Sequence, residues 1–192
     1  MMMNTKNFIL ASGSIHRKAL LEQIDFVPQD IITADIDETP FPKEKPTQYV
    51  KRMALEKGLN VASRYPGRVV LSADTIIVVG RQIVRKAKDA NEQTKVMQML
   101  SGRAHHVITA ICVVNAQGKP TVRVNDTRLI VKSMSPSQIA QYVNTKEWLG
   151  CAGYKLDGQM GAFVRKIIGS YSSCIGLPLY ETKNLLEGAG IK

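Results

Sequence analysis

A chain of 192 residues that is 44% hydrophobic and 22% charged is expected to fold as one soluble globular domain spanning residues 1–192, and it nowhere holds the run of about 18 apolar residues that a membrane span needs. Its formal net charge of +10 and pI near 9.6 point to an anionic partner, which can be nucleic acid, an acidic membrane or a phosphorylated small molecule. Cys112, Cys151 and Cys174 fit no zinc or disulfide spacing and the opening MMMNTKNFIL has too short an apolar run for a signal peptide, so a reducing, cytoplasmic setting is expected.

In chain order, an apolar strand through Phe8 to Ala11 runs into the turn Ser12-Gly13-Ser14, and Ser14 is placed to cap a helix whose apolar positions include Ala19, Leu20 and Ile24. ITADIDETPFPKEKP reads as a loop, and a helix follows from about Thr47 to Arg64, closed by YPG. RVVLSADTIIVVGRQIV is a pair of β-rich runs turning at Gly80. DANEQTKVMQMLSG is a helix with an Asp89/Glu92 capping box and Gly102 near its end. Two strands, HHVITAICVV and TVRVNDTRLIVKS, join through NAQGKP, and Ser135, Pro136 and Gln138 open another helix. The strand GAFVRKIIG and a last helix beyond GLPLYET complete the chain, giving an α/β fold with a mixed sheet and helices on its faces.

Chemistry concentrates at a few positions. The Ser12-Gly13-Ser14 turn offers backbone N–H groups, two hydroxyls and a helix N-terminus, with Arg17 and Lys18 in the first turn. Cations there oppose the helix dipole, so the turn serves equally as an anion cradle or as an ordinary capped helix with solvated cations. On the second helix Val50, Met53, Ala54 and Val61 form an apolar stripe that includes Lys57. A lysine there either snorkels to water, the commoner outcome, or meets an anion. Arg52 lies off the stripe and is expected in solvent. Asp74 interrupts the strand VVLSADTIIVV, where a carboxylate is costly unless a cation, a metal or hydrogen bonds hold it. Such an acid beside a cleft suits a divalent metal over phosphates, with Asp35, Asp37 or Glu38 as a second ligand, against the alternative of a solvated acidic loop. His105 and His106 are read as structural or surface residues. Ser12 and Ser14 lack a nucleophile elbow, and Trp148 with 6% aromatics leaves little for base stacking.

Taken in order, the motifs ASGSIHR at Ala11 to Arg17, the acidic pair Asp37-Glu38, KRMALEKG, the intact SADT at Ser72 to Thr75, Lys86 in IVRKA, SGRAHHVIT, and the closing GSY with GLPL resemble the Maf family of nucleoside triphosphate pyrophosphatases. The resemblance implies an elongated mixed sheet in two lobes around a central cleft, as in Maf and ITPase-like proteins, often as a homodimer. It implies hydrolysis of the α–β phosphate bond of a nucleoside triphosphate with Mg²⁺ or Mn²⁺, with neither membrane nor nucleic acid as a required partner. Carried over by position, Ser12, Gly13, Ser14 and Arg17 hold the triphosphate, and Lys57 and Lys86 neutralise it. Asp74 binds metal and orients or deprotonates water, with Glu38 assisting.

The family pattern is departed from at Ile15 and His16, at Ala87, and along EWLGCAGYKLDG. Cys151 to Gly153 and Asp157-Gly158 look like the 7-methyl-GTP branch, and the acceptor-only carboxylate of Asp157 suits guanine N1–H, with His16 stacking on the base. A 7-methyl-GTP type of substrate is therefore expected, and dTTP or UTP, whose branch more often carries SADT, is the alternative. A basic nucleic-acid-binding or septation-regulating protein is the reading from a different class.

Overall fold

The computed structural model describes residues 5–192, so the first four residues of the MMMNTKNFIL reading lie outside the described residues. Runs rich in Val, Ile and Thr build the long strands β3 (Val69–Val79), β5 (Ala104–Val114) and β6 (Pro120–Val131), which pair antiparallel. With β1 (Thr5–Leu10), β2 (Val27–Ile31), β4 (Gln82–Val84) and β7 (Val164–Ile168) they make a mixed seven-stranded sheet ordered β2-β1-β3-β5-β6-β7, with β4 paired to β3. β1 is parallel to both β2 and β3.

The helices divide the sheet into two lobes. α2 (Pro46–Arg64) lays Val50, Met53, Ala54 and Val61 on one face. α1 (Ile15–Glu22) and α6 (Leu179–Gly188) cover the other face with Leu20, Leu21 and Leu186. At the far ends of the long strands α3 (Ala90–Leu100) and α4 (Pro136–Asn144) close a third core with Met97, Leu100, Tyr142 and Trp148. The pleat sorts β3 by parity: Val70, Ile76 and Val78 join the α2 core, while Val69, Leu71 and Ala73 join the opposite one. Ser72 and Asp74 thus face α2, which approaches closely because residue 58 is glycine: a Cβ there would lie 2.8 Å from Ser72 Oγ.

One feature of strand pairing creates the cleft. β5 lines one edge of β3 throughout residues 70–78. The other edge is shared, by β1 at Val69, Val70 and Leu71 and by β4 at Ile77, Val78 and Val79. Over residues 72–75, the SADT segment, and Ile76, that edge has no strand partner among the described residues, and the sheet opens into a cleft of about 1240 Å³. Crevices where neighbouring strands diverge are where open α/β sheets bind ligands.

Five local features differ from the sequence reading. β2 lay in a stretch not assigned to a strand: its five residues contain Pro28, tolerated because the strand pairs on one side alone. α5 (Tyr171–Ile175), capped by Ser170, is too short to leave a periodicity. The GAFVRKIIG strand begins at Val164, after a 3-10 turn over Gln159–Phe163, and α1 ends before Ile24. Glu92 does not close a box on Asp89; it accepts from the Lys88 N–H at 2.9 Å, while Asp89 caps Glu92 N.

Candidate active site

Lys57 does not snorkel. Its ammonium lies 2.7 Å from Asp74 Oδ1 and 2.8 Å from Glu38 Oε1, with 14% of its side chain exposed and 13% of that of Asp74. Asp74 pairs in regular register with Ala110, so it sits in an unbroken strand and no bulge relieves it. A lysine on the buried stripe of α2 and an acid on the α2-facing row of β3 answer each other's desolvation, and truncating one member of such a pair leaves an uncompensated charge.

Glu38 comes from a loop with no regular structure, and α2 fastens that loop. Tyr49 donates its hydroxyl to the Glu38 carbonyl at 2.9 Å, and burial, helped by the Asp74 and Glu38 carboxylates, pushes that phenol up to about 12. Arg52, expected in solvent, is instead mostly buried and grips the loop. Its Nε and Nη2 bond Glu44 bidentately at 2.8 Å each, Nη2 reaches the Thr39 carbonyl at 3.1 Å, and the guanidinium stacks 3.9 Å over Phe41. Hydrogen bonds from Arg52 hold the Glu44 carboxyl below its ordinary range. The helical pattern placed Arg52 correctly off the stripe but could not show that the preceding loop folds over it. Asp35 and Asp37 take no part: Asp35 is held through its backbone by Asn60, and Asp37 accepts from Thr39 N at 2.9 Å.

The Ser12-Gly13-Ser14 turn presents a second cation to the same cleft. Ser14 caps α1 by accepting from Arg17 N at 3.4 Å, which carries Arg17 into the cleft. Arg17 donates Nε to the Gly176 carbonyl at 2.9 Å, Nη1 to Ser12 Oγ at 2.9 Å and Nη2 to Thr75 Oγ1 at 3.5 Å. All three partners are neutral, and no described carboxylate lies within ion-pair distance of it. Burial pulls the Arg17 pKa down, while the more distant Asp74 and Glu38 charges push it up. Among the expected substrate-binding residues, Ser12 is buried, and its hydroxyl oxygen accepts from Arg17 Nη1 at 2.9 Å and from Ser14 N at 3.3 Å. Gly13 is exposed beside it.

Lys86 lines the cleft, is exposed, and forms an isolated bridge to Ala152 that ties the loop around Cys151 to it. Six Lys or Arg residues line the cleft against three acids, which accounts locally for part of the overall basic charge. Arg81, Arg85 and Lys95 are cleft cations that the sequence reading missed, since nothing in a run of basic residues says which of them point inward. His16 lines the cleft, and its Nδ1 lies 3.3 Å from Asp157 Oδ2, so these two residues, distant in sequence, meet. The other histidines are structural or peripheral, with His105 buried on Tyr154 at 2.6 Å and His106 exposed on Asp126 at 2.7 Å. Cys112, Cys151 and Cys174 are free thiols, and no helix of the described residues is long and apolar enough to cross a membrane.

No group of three or more His, Cys, Asp or Glu among the described residues is arranged to hold a metal by itself. Two carboxylates drawn together on one ammonium are a fitting donor set for Mg²⁺ or Mn²⁺ of the kind that completes its shell with phosphate oxygens and water.

Comparison with known proteins places these features in a family. A family model described as Maf-like protein matches residues 7–189. The chain is 45% identical over 185 residues to a dTTP/UTP pyrophosphatase of Zymomonas mobilis, covering 96% of this chain and 92% of that protein. It is 44% identical over 185 residues to a dTTP/UTP pyrophosphatase of Rhodospirillum rubrum, covering 96% and 88%. Among solved structures, the Staphylococcus aureus Ham1 protein shares the fold with a TM-score of 0.56 at 14% identity, over 96% of this chain and 99% of that one.

Proposed function

The chain belongs to the Maf-like protein family, and on that premise we propose that it is a nucleoside triphosphate pyrophosphatase acting on the pyrimidine nucleotides dTTP and UTP through one domain spanning residues 1–192. The observation that carries the reading is the pair Asp74 and Glu38 on one ammonium, in the same cleft as a guanidinium that has no carboxylate partner among the described residues.

In this reading Arg17 and the N-terminus of α1 bind the phosphates, with Lys86 neutralising further charge. Asp74 orients the attacking water and accepts its proton at the carboxylate. The water oxygen bonds to the α-phosphorus, the bond from that phosphorus to the α–β bridging oxygen breaks, and pyrophosphate leaves. Asp74 and Glu38 would hold the divalent ion, which when bound supplies Lewis-acid stabilisation of the phosphate charge. Lys57 holds the two carboxylates in place, so its part is to organise the acids as well as to balance charge.

The expectation of a 7-methyl-GTP type of substrate finds no support in the relatives, which carry a pyrimidine name. Asp157 and His16 are compatible with that change. Uracil and thymine present an N3–H between two carbonyls, so a carboxylate accepts from the base while an imidazole N–H donates to it.

Pyrophosphate release from dTTP, UTP, CTP, GTP, 7-methyl-GTP and ITP, with Mn²⁺ or Mg²⁺ and with EDTA, tests the reading. We expect dTTP and UTP to be fastest, EDTA to abolish release, and Asp74→Asn to lower kcat at least about 100-fold with the fold retained. Faster turnover of a purine nucleotide would refute the pyrimidine assignment, and a folded protein that releases pyrophosphate from none would refute the activity.

A further inference from the structure

Arg17 is joined to the fold by a chain of hydroxyls whose direction can be read. Thr109 is fully buried and donates its one proton to the Ser173 carbonyl at 2.8 Å. The contact between Thr75 Oγ1 and Thr109 Oγ1 is 2.9 Å, and since the Thr109 proton is already committed, Thr75 must be its donor. The Thr75 oxygen is left with lone pairs alone, and these meet Arg17 Nη2 at 3.5 Å, the long link of the chain. The order is therefore Arg17 to Thr75 to Thr109 to Ser173, with every hydroxyl proton pointing away from the guanidinium. Aligned hydroxyls polarise one another, which sharpens the acceptor offered to Arg17.

The far end of the chain is anchored at the same element that holds the other side of Arg17. Ser173 belongs to α5 and Gly176 is its C-cap, at φ +119, with its carbonyl accepting from Arg17 Nε. α5 is fixed in turn by Thr127, whose hydroxyl accepts from Ser170 N at 2.9 Å against the closely packed Gly169.

We propose that Thr109 is a positioning residue for Arg17: through Thr75 it sets the plane of the guanidinium, so that the N–H groups left over from protein partners point at the phosphates. The proposal rests on the reading that Arg17 binds phosphate, and it adds a residue that never touches substrate.

The experiment is a double-mutant cycle on the full chain. Thr109→Val should lower kcat/KM for dTTP about fivefold to tenfold, mainly by raising KM, with Thr109→Ser restoring most of it. In an Arg17→Ala background Thr109→Val should change kcat/KM by less than about twofold, because the residue through which it acts is gone. An undiminished loss in that background overturns the proposal, as does Thr109→Ser being as impaired as Thr109→Val. If Thr109→Val does not fold, Thr75→Val, nearer the surface, runs the same cycle. Calorimetric binding of inorganic tripolyphosphate to the same variants separates the two ideas. Coupling of Thr109 to Arg17 in binding, without pyrophosphate release by wild type, upholds the positioning role while the activity fails; normal turnover with additive losses removes the positioning role alone.

Discussion

Lys57 Nζ lies 2.7 Å from Asp74 Oδ1, and the same ammonium meets Glu38 Oε1 at 2.8 Å. Replacing Lys57 by Ala leaves two carboxylates facing each other with no cation between them. The variant should lose stability by about 3 kcal/mol in EDTA. Because the freed carboxylates then gain more from a divalent ion than they do in wild type, Mn²⁺ should raise the Tm of Lys57→Ala more than it raises that of wild type. Equal Mn²⁺ shifts in thermal melts of the two proteins would show that Asp74 and Glu38 do not form a cation site.

Arg52 fastens the loop that carries Glu38 through its bidentate bond to Glu44 and its stacking on Phe41. Arg52→Ala should release residues 38–45, lower kcat/KM about tenfold and cost on the order of 1–2 kcal/mol. Lysine cannot reproduce two parallel N–H bonds, so Arg52→Lys should recover little of the activity. Steady-state kinetics with limited proteolysis of the loop checks this; full activity in Arg52→Lys would mean that charge alone suffices.

Gly58 sets the distance between α2 and β3, where an added methyl would lie 2.8 Å from Ser72 Oγ and 3.3 Å from Val114 Cγ2. Ser72 donates to the Ala54 carbonyl at 2.6 Å, so it has little room to retreat. Gly58→Ala should destabilise by about 1–3 kcal/mol despite alanine's better helix propensity, and it should lower turnover by displacing the neighbouring Lys57. Urea unfolding decides the sign: a more stable Gly58→Ala would show that the contact relaxes freely.

His105 supplies a pH dependence. Burial, with a smaller contribution from His106, pushes its imidazole down to about 4 from an ordinary value of 6.5. Between these values the unfolded chain takes up a proton that the folded one refuses, so stability falls as pH drops from 6.5 toward 4 and is intact above 6.5. The loss from this group is on the order of 3 kcal/mol. His105→Gln removes the titration while keeping a polar group near Tyr154. Urea midpoints at pH 7 and pH 4.5 should converge between wild type and variant on acidification; parallel curves would mean that the ring is not held neutral.

What could be read before the fold was local and periodic. The 3.6-residue stripe of α2 put Lys57 on the buried side, and an acid inside an apolar run marked Asp74 as needing a partner. Ser14 as cap of α1 and Gly80 as hairpin turn follow from backbone chemistry over three or four residues. The motifs in order along the chain pointed to the family, and the family match across residues 7–189 agrees.

Tertiary structure decided who meets whom. Arg17 is held by a carbonyl 159 residues away, and Thr109 reaches one 64 residues away, separations over which no periodicity carries information. Arg52 looked solvated because helix geometry describes its own helix and not a loop that returns over it. The cleft itself exists because β1 and β4 share an edge of β3 and leave residues 72–76 between them, a property of strand order that no single segment contains. Local sequence determines which side chains need a partner, because desolvation and backbone geometry act residue by residue. The fold alone selects the partner, because charges and hydrogen bonds depend on distances that only the folded chain creates.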